Sequence, residues 1–319
     1  MKLKNMYEEI INIGIAGDPR PKKDIDLLLK LRKSDFDKLS GQEKEYFDKE
    51  SLRNPYADSR IVSGNPAADV KKILAGIDID TAELLLAHTL NKQGAGIDLV
   101  LSHHPVGNAL VSFYDVMDVQ IDVFNQKGVA LGAAEKLLLE RKSEVARRVS
   151  AANFSKTKDA ASLLGLNLMC AHTPADNLAY KYLDILFKKN PPGRLKNIIE
   201  TLLKIPEYKD SACNGCPPEI VNGCGSSRVK NIHYEFTGGT EGPKDIYSKL
   251  SAAGIDTIVA MHLSEEHFKA AKEAYINVVM AGHIASDTLG INELLDRLQK
   301  KSKHRFKVVE CSGFRRFSR

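Results

Sequence analysis

Apolar residues change their spacing several times along the chain, and each change predicts a different element. From residue 1 to about 60 the sequence is dense in charge. Leu27, Leu28 and Leu31, then Phe36 and Leu39, recur at helical spacing and predict short amphipathic helices. Asn54-Pro55 and Asn65-Pro66, with Gly64 between them, mark irregular chain, because proline pushes the residue before it out of the helical region. The organisation expected from this break is a charged helical N-terminal extension over 1–62 and an α/β domain over 63–319.

Beyond the break the pattern becomes that of alternating strands and helices. Val70–Ile77 is rich in apolar and β-branched residues, and Asp80 with Glu83 has the form of a capping box opening a helix from Thr81 to about Lys92. Gly94 and Gly96 can end that helix, and Ile97–Leu101 reads as a buried strand. Strand, helix and strand make a βαβ unit with parallel strands, so Ser102-His103-His104-Pro105 should emerge at the carboxyl edge of a sheet, where ligands bind in open α/β folds. Residues 106–164 carry helical spacing in Glu135–Val149 and read as decoration. Leu166–Cys170 predicts a further strand, followed by a helix with Leu178, Tyr182, Leu183 and Leu186 on one face and Asp176 near its start. A second βαβ unit follows, from Val229–Phe236 and Ile255–Ala260 through a helix over Ser264–Tyr275 to Ile276–Ala281. It exits into Gly282-His283-Ile284-Ala285-Ser286-Asp287. The likeness of the two halves points to a two-lobed architecture.

Composition narrows the class. The chain has 319 residues, 43% of them hydrophobic, enough for a real core. A net charge of +5, from 46 basic and 41 acidic residues, is too small for a dedicated nucleic-acid binder. The apolar runs are shorter than a spanning helix, and five cysteines without a secretory signal predict reduced thiols, so a soluble cytoplasmic protein is expected.

The candidate chemistry lies at the strand exits: His103 and His104, Asp176, and His283 with Asp287. If a helix begins after Gly282, His283 and Asp287 at i and i+4 share one face and can reach the same ion. His103 and His104, where the chain bends, can address two ions a few ångströms apart.

Together, Asp98-Leu99-Val100-Leu101-Ser102-His103-His104-Pro105, Ala171-His172-Thr173-Pro174-Ala175-Asp176 and Gly282-His283-Ile284-Ala285-Ser286-Asp287 resemble the three signatures of the Nif-three-like family. That family is also labelled GTP cyclohydrolase I type 2 homologue, or dinuclear metal-centre protein. The resemblance runs from about Val70 to Leu298. It implies a layered α/β/α fold of two lobes with mixed or parallel sheets, and two divalent metal ions. It gives His103 and Asp176 to one ion, His104 and His283 to the other, and Asp287 to a bridge between them. The family usually carries glutamate at this last position, so aspartate reaches about 1.5 Å less far. The resemblance also implies a homohexamer and, from the label, a nucleotide or related heterocycle as substrate.

Imidazole with carboxylate suits zinc, iron(II) or manganese. A pair of such cations can polarise an electrophile and acidify a water, so the expected activity is metal-dependent hydrolysis. His172, four residues before Asp176, is the candidate for an acid–base role or for holding a ligand in place. The alternative is a metal-binding regulatory or scaffold protein whose N-terminal segment engages a partner.

Weaker signals are Cys213, Cys216 and Cys224 as a small zinc knuckle, against a loop with reduced thiols, and Gly238–Gly242 as an anion cradle, against a tight turn. His262 and His267 are further candidates, one of which is expected to face the metal cleft. The basic clusters 300–307 and 315–319 read as solvated surface.

Overall fold

The computed structural model describes residues 1–302 and 305–319. In chain order the elements are α1 (Leu3–Gly17), α2 (Lys22–Lys38), α3 (Gly41–Tyr46), β1 (Ile61–Ser63), β2 (Lys72–Gly76), α4 (Thr81–Lys92) and β3 (Leu99–Ser102). Four helices follow, α5 (Asn108–Val111), α6 (Val119–Gln126), α7 (Leu131–Ser150) and α8 (Ser155–Leu163), then β4 (Leu168–Cys170), α9 (Thr173–Lys189), α10 (Leu195–Leu202) and α11 (Pro206–Cys213). The second lobe continues with β5 (Glu219–Asn222), β6 (Ile232–Glu235), α12 (Ile246–Ala252), β7 (Thr257–Ala260), α13 (Glu265–Glu273) and β8 (Asn277–Met280). The chain ends with α14 (His283–Ser302) and β9 (Lys307–Glu310).

The strands form two mixed sheets, ordered β1-β4-β3-β2-β9 and β5-β8-β7-β6. In the first, β4, β3, β2 and β9 run parallel and β1 closes the edge antiparallel to β4; in the second, β8, β7 and β6 run parallel and β5 closes the edge antiparallel to β8. Apart from β6, at the edge of the second sheet, the predicted strands lie inside these sheets, buried on both faces, and so read as continuous apolar runs. Leu74, Val100 and Leu168 pack under α4 and α8, while Ile73, Ala75, Leu99 and Leu101 face α1, α9 and α14. The second sheet repeats this, with Val259 and Val279 toward α9, α10 and α14, and Ile258, Ala260 and Val278 toward α6, α7, α12 and α13.

Helices α9 and α14 are therefore one central layer shared by both sheets. Ala175 and Leu178 of α9 belong to the first core, and Ala179, Leu183 and Phe187 to the second. α14 divides likewise, with Leu294, Leu295 and Leu298 on one side and Ala285 and Leu289 on the other. The two helices cross closely at Gly290, where an added Cβ would stand 2.5 Å from the Ala175 carbonyl oxygen.

The N-terminal segment divides in two. Leu3, Met6, Ile10 and Ile13 recur at three- and four-residue spacing and are buried in the first core, so α1 is a core helix and not part of a detached extension. In α2 only Ile25 is buried, and Leu27 and Leu31, expected on a packed face, are about half exposed at 53% and 54%. The charged residues around them leave α2 without an apolar stripe wide enough to pack. The helix over Thr81–Lys92 forms as expected, with the Glu83 carboxylate accepting the Asp80 N–H at 2.9 Å. The short edge strands β1, β5 and β9 give no clear pattern in sequence. At the C terminus, Arg316 pairs with Asp296, and Arg319 with Glu207 at 2.5 Å. That basic cluster is thus partly neutralised and not simply solvated. Of the 300–307 cluster, residues 303 and 304 lie outside the described residues. Among the described residues, no helix is long and apolar enough to cross a membrane.

Candidate metal centre

The carboxyl ends of β3, β4 and β8 meet the N-termini of α9 and α14, and this junction gathers the candidate residues. His103 and His104 leave β3, His172 and Asp176 enter α9 in its first turn, and His283 and Asp287 open α14. His103 Nε2 stands 3.4 Å from Asp176 Oδ1 and 3.4 Å from Asp287 Oδ1. The other oxygen, Asp287 Oδ2, is 3.4 Å from His104 Nε2 and 3.4 Å from His283 Nε2. His172 Nε2 is 3.7 Å from Asp176 Oδ2, and its ring lies beside those of His103 and His104.

These separations are too long for good hydrogen bonds. They match the spacing of two atoms ligating one ion, which for bonds of about 2.0–2.2 Å in tetrahedral geometry stand roughly 3.3–3.6 Å apart. His103 Nε2, Asp176 Oδ1 and both oxygens of Asp287 are buried and have no hydrogen-bond partner. Buried polar atoms are costly unless paired, and here they face one another. Three overlapping sets of possible ligands result: His103, Asp176 and Asp287; His104, His283 and Asp287; and His103, His104 and His172. The buried His and Asp groups could hold metal ions.

The far side of each imidazole in the first lobe is tied down. His103 Nδ1 donates to the Ala171 carbonyl at 3.3 Å, His104 Nδ1 to Asp78 at 2.6 Å, and His172 Nδ1 to Asp58 at 2.9 Å. A carbonyl or carboxylate can only accept, so each Nδ1 carries a proton. In the neutral ring the lone pair of Nε2 is then left facing the centre, the usual support of a ligating histidine. Asp58 also accepts from the Thr173 hydroxyl at 2.6 Å, while Ser59 Oγ accepts the His172 N–H at 3.0 Å. Asp58 and Asp78 were missed in the sequence. Asp78 had a usable signal, a carboxylate just past the β2 exit. Asp58 had none, its histidine being 114 positions away.

The electrostatics are those of a site designed around positive charge. Burial opposes charge on His103, but Asp287 and Asp176 outweigh it and raise the imidazole to about 10. Burial likewise opposes ionisation of Asp287, yet His103, His104 and His283 hold its carboxyl far below the usual range. A divalent cation would take the place of the imidazolium proton.

A cavity of about 70 Å³ opens from Asp176, His283 and Asp287 toward Glu235, Thr237, Glu241 and His262. His262 lies against His283, with ring centroids 4.6 Å apart and the planes tilted by 55°, and is the histidine of its pair that faces the cleft. His267 is buried and bonded to the Gly242 carbonyl at 2.8 Å. The 106–164 region is not inert decoration, since Gln120 and Phe124 of α6 line the cavity. Gly238 and Gly239 have φ of +92° and +80° and lie against Gln120 and Val116, so this loop is a packed turn. Cys213, Cys216 and Cys224 are free and exposed, and among the described residues no group of possible metal ligands includes a cysteine.

Fold and site together define a two-lobed α/β protein with a histidine- and aspartate-lined centre able to hold metal. Residues 219–313 match the family described as DUF34/NIF3 (NGG1p interacting factor 3). The chain is similar to a NIF3 superfamily protein from Sphaerobacter thermophilus, at 27% identity over 82% of this chain and 94% of that one, with a TM-score of 0.71. It shares its fold with reduced HcgD from Methanocaldococcus jannaschii, at 14% identity over 85% of this chain and 97% of that one, with a TM-score of 0.51. No curated protein matches the chain. By this partial family match and the shared fold, the chain is similar to NIF3 proteins.

Proposed function

We propose that the chain binds two divalent metal ions and is a metal-dependent hydrolase acting on a nucleotide or related heterocycle, in line with the cyclohydrolase label of the family it resembles. The observation that carries this reading is Asp287. Each of its two buried, unpartnered oxygens lies 3.4 Å from ligand atoms of a different set. His103 and Asp176 would hold one ion, His104 and His283 the other, with Asp287 shared between them, its shorter side chain notwithstanding. When bound, the ions supply Lewis acidity and lower the pKa of a coordinated water. The chain's own groups do the rest. Asp58 and Asp78 orient imidazoles, the buried side of the site excludes solvent, and the cavity admits substrate from the second lobe. His172, fixed by Asp58 at Nδ1, presents Nε2 beside Asp176, where it can take or return a proton.

Elemental mass spectrometry on protein purified without chelator or nickel resin tests the reading. About two ions per chain are expected in the parent, lost in a His104→Ala/Asp287→Ala double variant, followed by hydrolysis in a screen of GTP and other nucleotides. A metal-free parent after reloading with zinc, iron(II) and manganese would end it. A second reading, a metal-bound scaffold without turnover, draws on the exposed Leu27, Leu31 and Tyr46 of α2 and α3. Full metal content with no hydrolysis across the screen selects that one.

A further inference from the structure

The cavity beside the candidate metal centre has a second wall that supplies none of the metal-ligating atoms. It is built from Glu235 at the end of β6, the loop after it, His262, and Gln120 of α6, and the whole cavity lining contains no lysine or arginine. Glu241 on this wall is already engaged, accepting the Ser264 N–H at 2.5 Å and facing His262 and His267 at 3.5 and 3.4 Å. Glu235 is not. Tyr247 donates to its Oε2 at 3.1 Å and fixes the carboxyl, but Oε1 has only His233 Nε2 at 3.9 Å, beyond hydrogen-bond reach. Gln120 donates to the Gly238 and Thr240 carbonyls at 3.1 and 2.7 Å, and its own Oε1 is buried with no donor. Glu235 Oε1 and Gln120 Oε1 are thus two acceptors on one wall without donors.

Nothing in the framework calls for a carboxylate here. The strand registers pair Gly76 with Ser102 in the first sheet and Glu235 with Ala260 in the second, so Gly76 is the equivalent position. In the first lobe that place is closed, since a Cβ on Gly76 would meet Ile79 and Ser312. Burial, with Glu241 nearby, pushes the Glu235 carboxyl up to about 7, against the help of the Tyr247 hydroxyl. A partly buried carboxylate with a free oxygen, beside a second free acceptor, matches a planar group bearing adjacent N–H donors. Phosphate finds no lysine or arginine here, and His262, raised toward its charged form, is already held by Glu241.

We propose that Glu235 is a specificity-determining residue that accepts two adjacent N–H groups from the edge of a planar nitrogen heterocycle, of the kind the 2-amino-oxo edge of guanine presents. The inference rests on the reading of the neighbouring centre as one that acts on a heterocycle.

The test is titration calorimetry of the zinc-loaded full-length protein with guanosine and with inosine, which lacks the exocyclic amine, alongside zinc content in the same samples. Guanosine is expected to bind about tenfold tighter than inosine, toward the low end of what a bidentate base contact supplies. Glu235→Gln, which keeps the side-chain volume, is expected to erase that gap with zinc content unchanged, and Tyr247→Phe to narrow it. Equal affinity for the two nucleosides, no binding of either, or an undiminished preference in Glu235→Gln overturns the proposal. Selective binding with no hydrolysis leaves it standing and removes the hydrolase reading instead.

Discussion

The two lobes use one plan for different ends. Each has three parallel strands with an antiparallel edge, in the equivalent orders β1-β4-β3-β2 and β5-β8-β7-β6. Each sends a His-x-x-x-Asp sequence, His172 to Asp176 and His283 to Asp287, from the exit of its last strand into a helix of the shared central layer. The first lobe adds β9, buries α1 against its sheet, and supplies His103 and Asp176, both almost wholly buried. The second supplies the half-exposed His283 and leaves a cavity ending at Glu235. A repeated framework thus carries matching attachment points to one junction, and what closes over each sheet decides which half is packed shut and which half opens into a cavity.

The comparison breaks most completely at Asp287, the residue common to the two ligand sets that contain a carboxylate. Asp287→Ala is expected to remove essentially all bound metal, whereas Asp176→Ala should empty only the set that contains it. Metal content per chain measures both, and equal losses would mean the sets are not separate. Next comes the central layer that joins the lobes. Gly290→Ala drives a Cβ into the backbone of α9 at Ala175, and a loss of about 2–3 kcal/mol in urea unfolding is expected from overpacking. Gly132→Ala on exposed α7, where a Cβ meets nothing, should be close to neutral.

The support given by the first lobe is sharpened by Asp78→Asn. It should weaken metal binding about tenfold in a chelator competition, because the amide no longer fixes the His104 imidazole as the carboxylate does. An unchanged affinity would reduce Asp78 to a structural role. The smallest effect belongs to the second lobe. The Glu235 carboxyl is raised in the folded state, so ionising it disfavours the fold, and its contribution to stability falls as pH rises from its unfolded value of about 4.3 to about 7. Glu241, His262, His233 and Tyr247 face it. Glu235→Gln should therefore be about 1 kcal/mol more stable than the parent above pH 7, with the difference vanishing toward pH 4 in denaturant titrations. A gain independent of pH would contradict the assignment.

The sequence by itself determined the elements with strong local patterns. Runs buried on both faces announced β2, β3, β4, β7 and β8, a capping pair announced α4, and the positions of histidines and aspartates at strand exits announced which residues meet at the junction. These signals are legible because periodicity, caps and turns act between residues a few positions apart. The tertiary structure alone decided that α1 is core while Leu27 and Leu31 stay exposed, that α6 lines the cavity, and that Asp58 and Asp78 hold histidines 114 and 26 positions away. It also decided that Asp287 presents both oxygens to the junction. Contacts of that range depend on how two sheets close on a shared pair of helices, and local spacing carries no record of that closure.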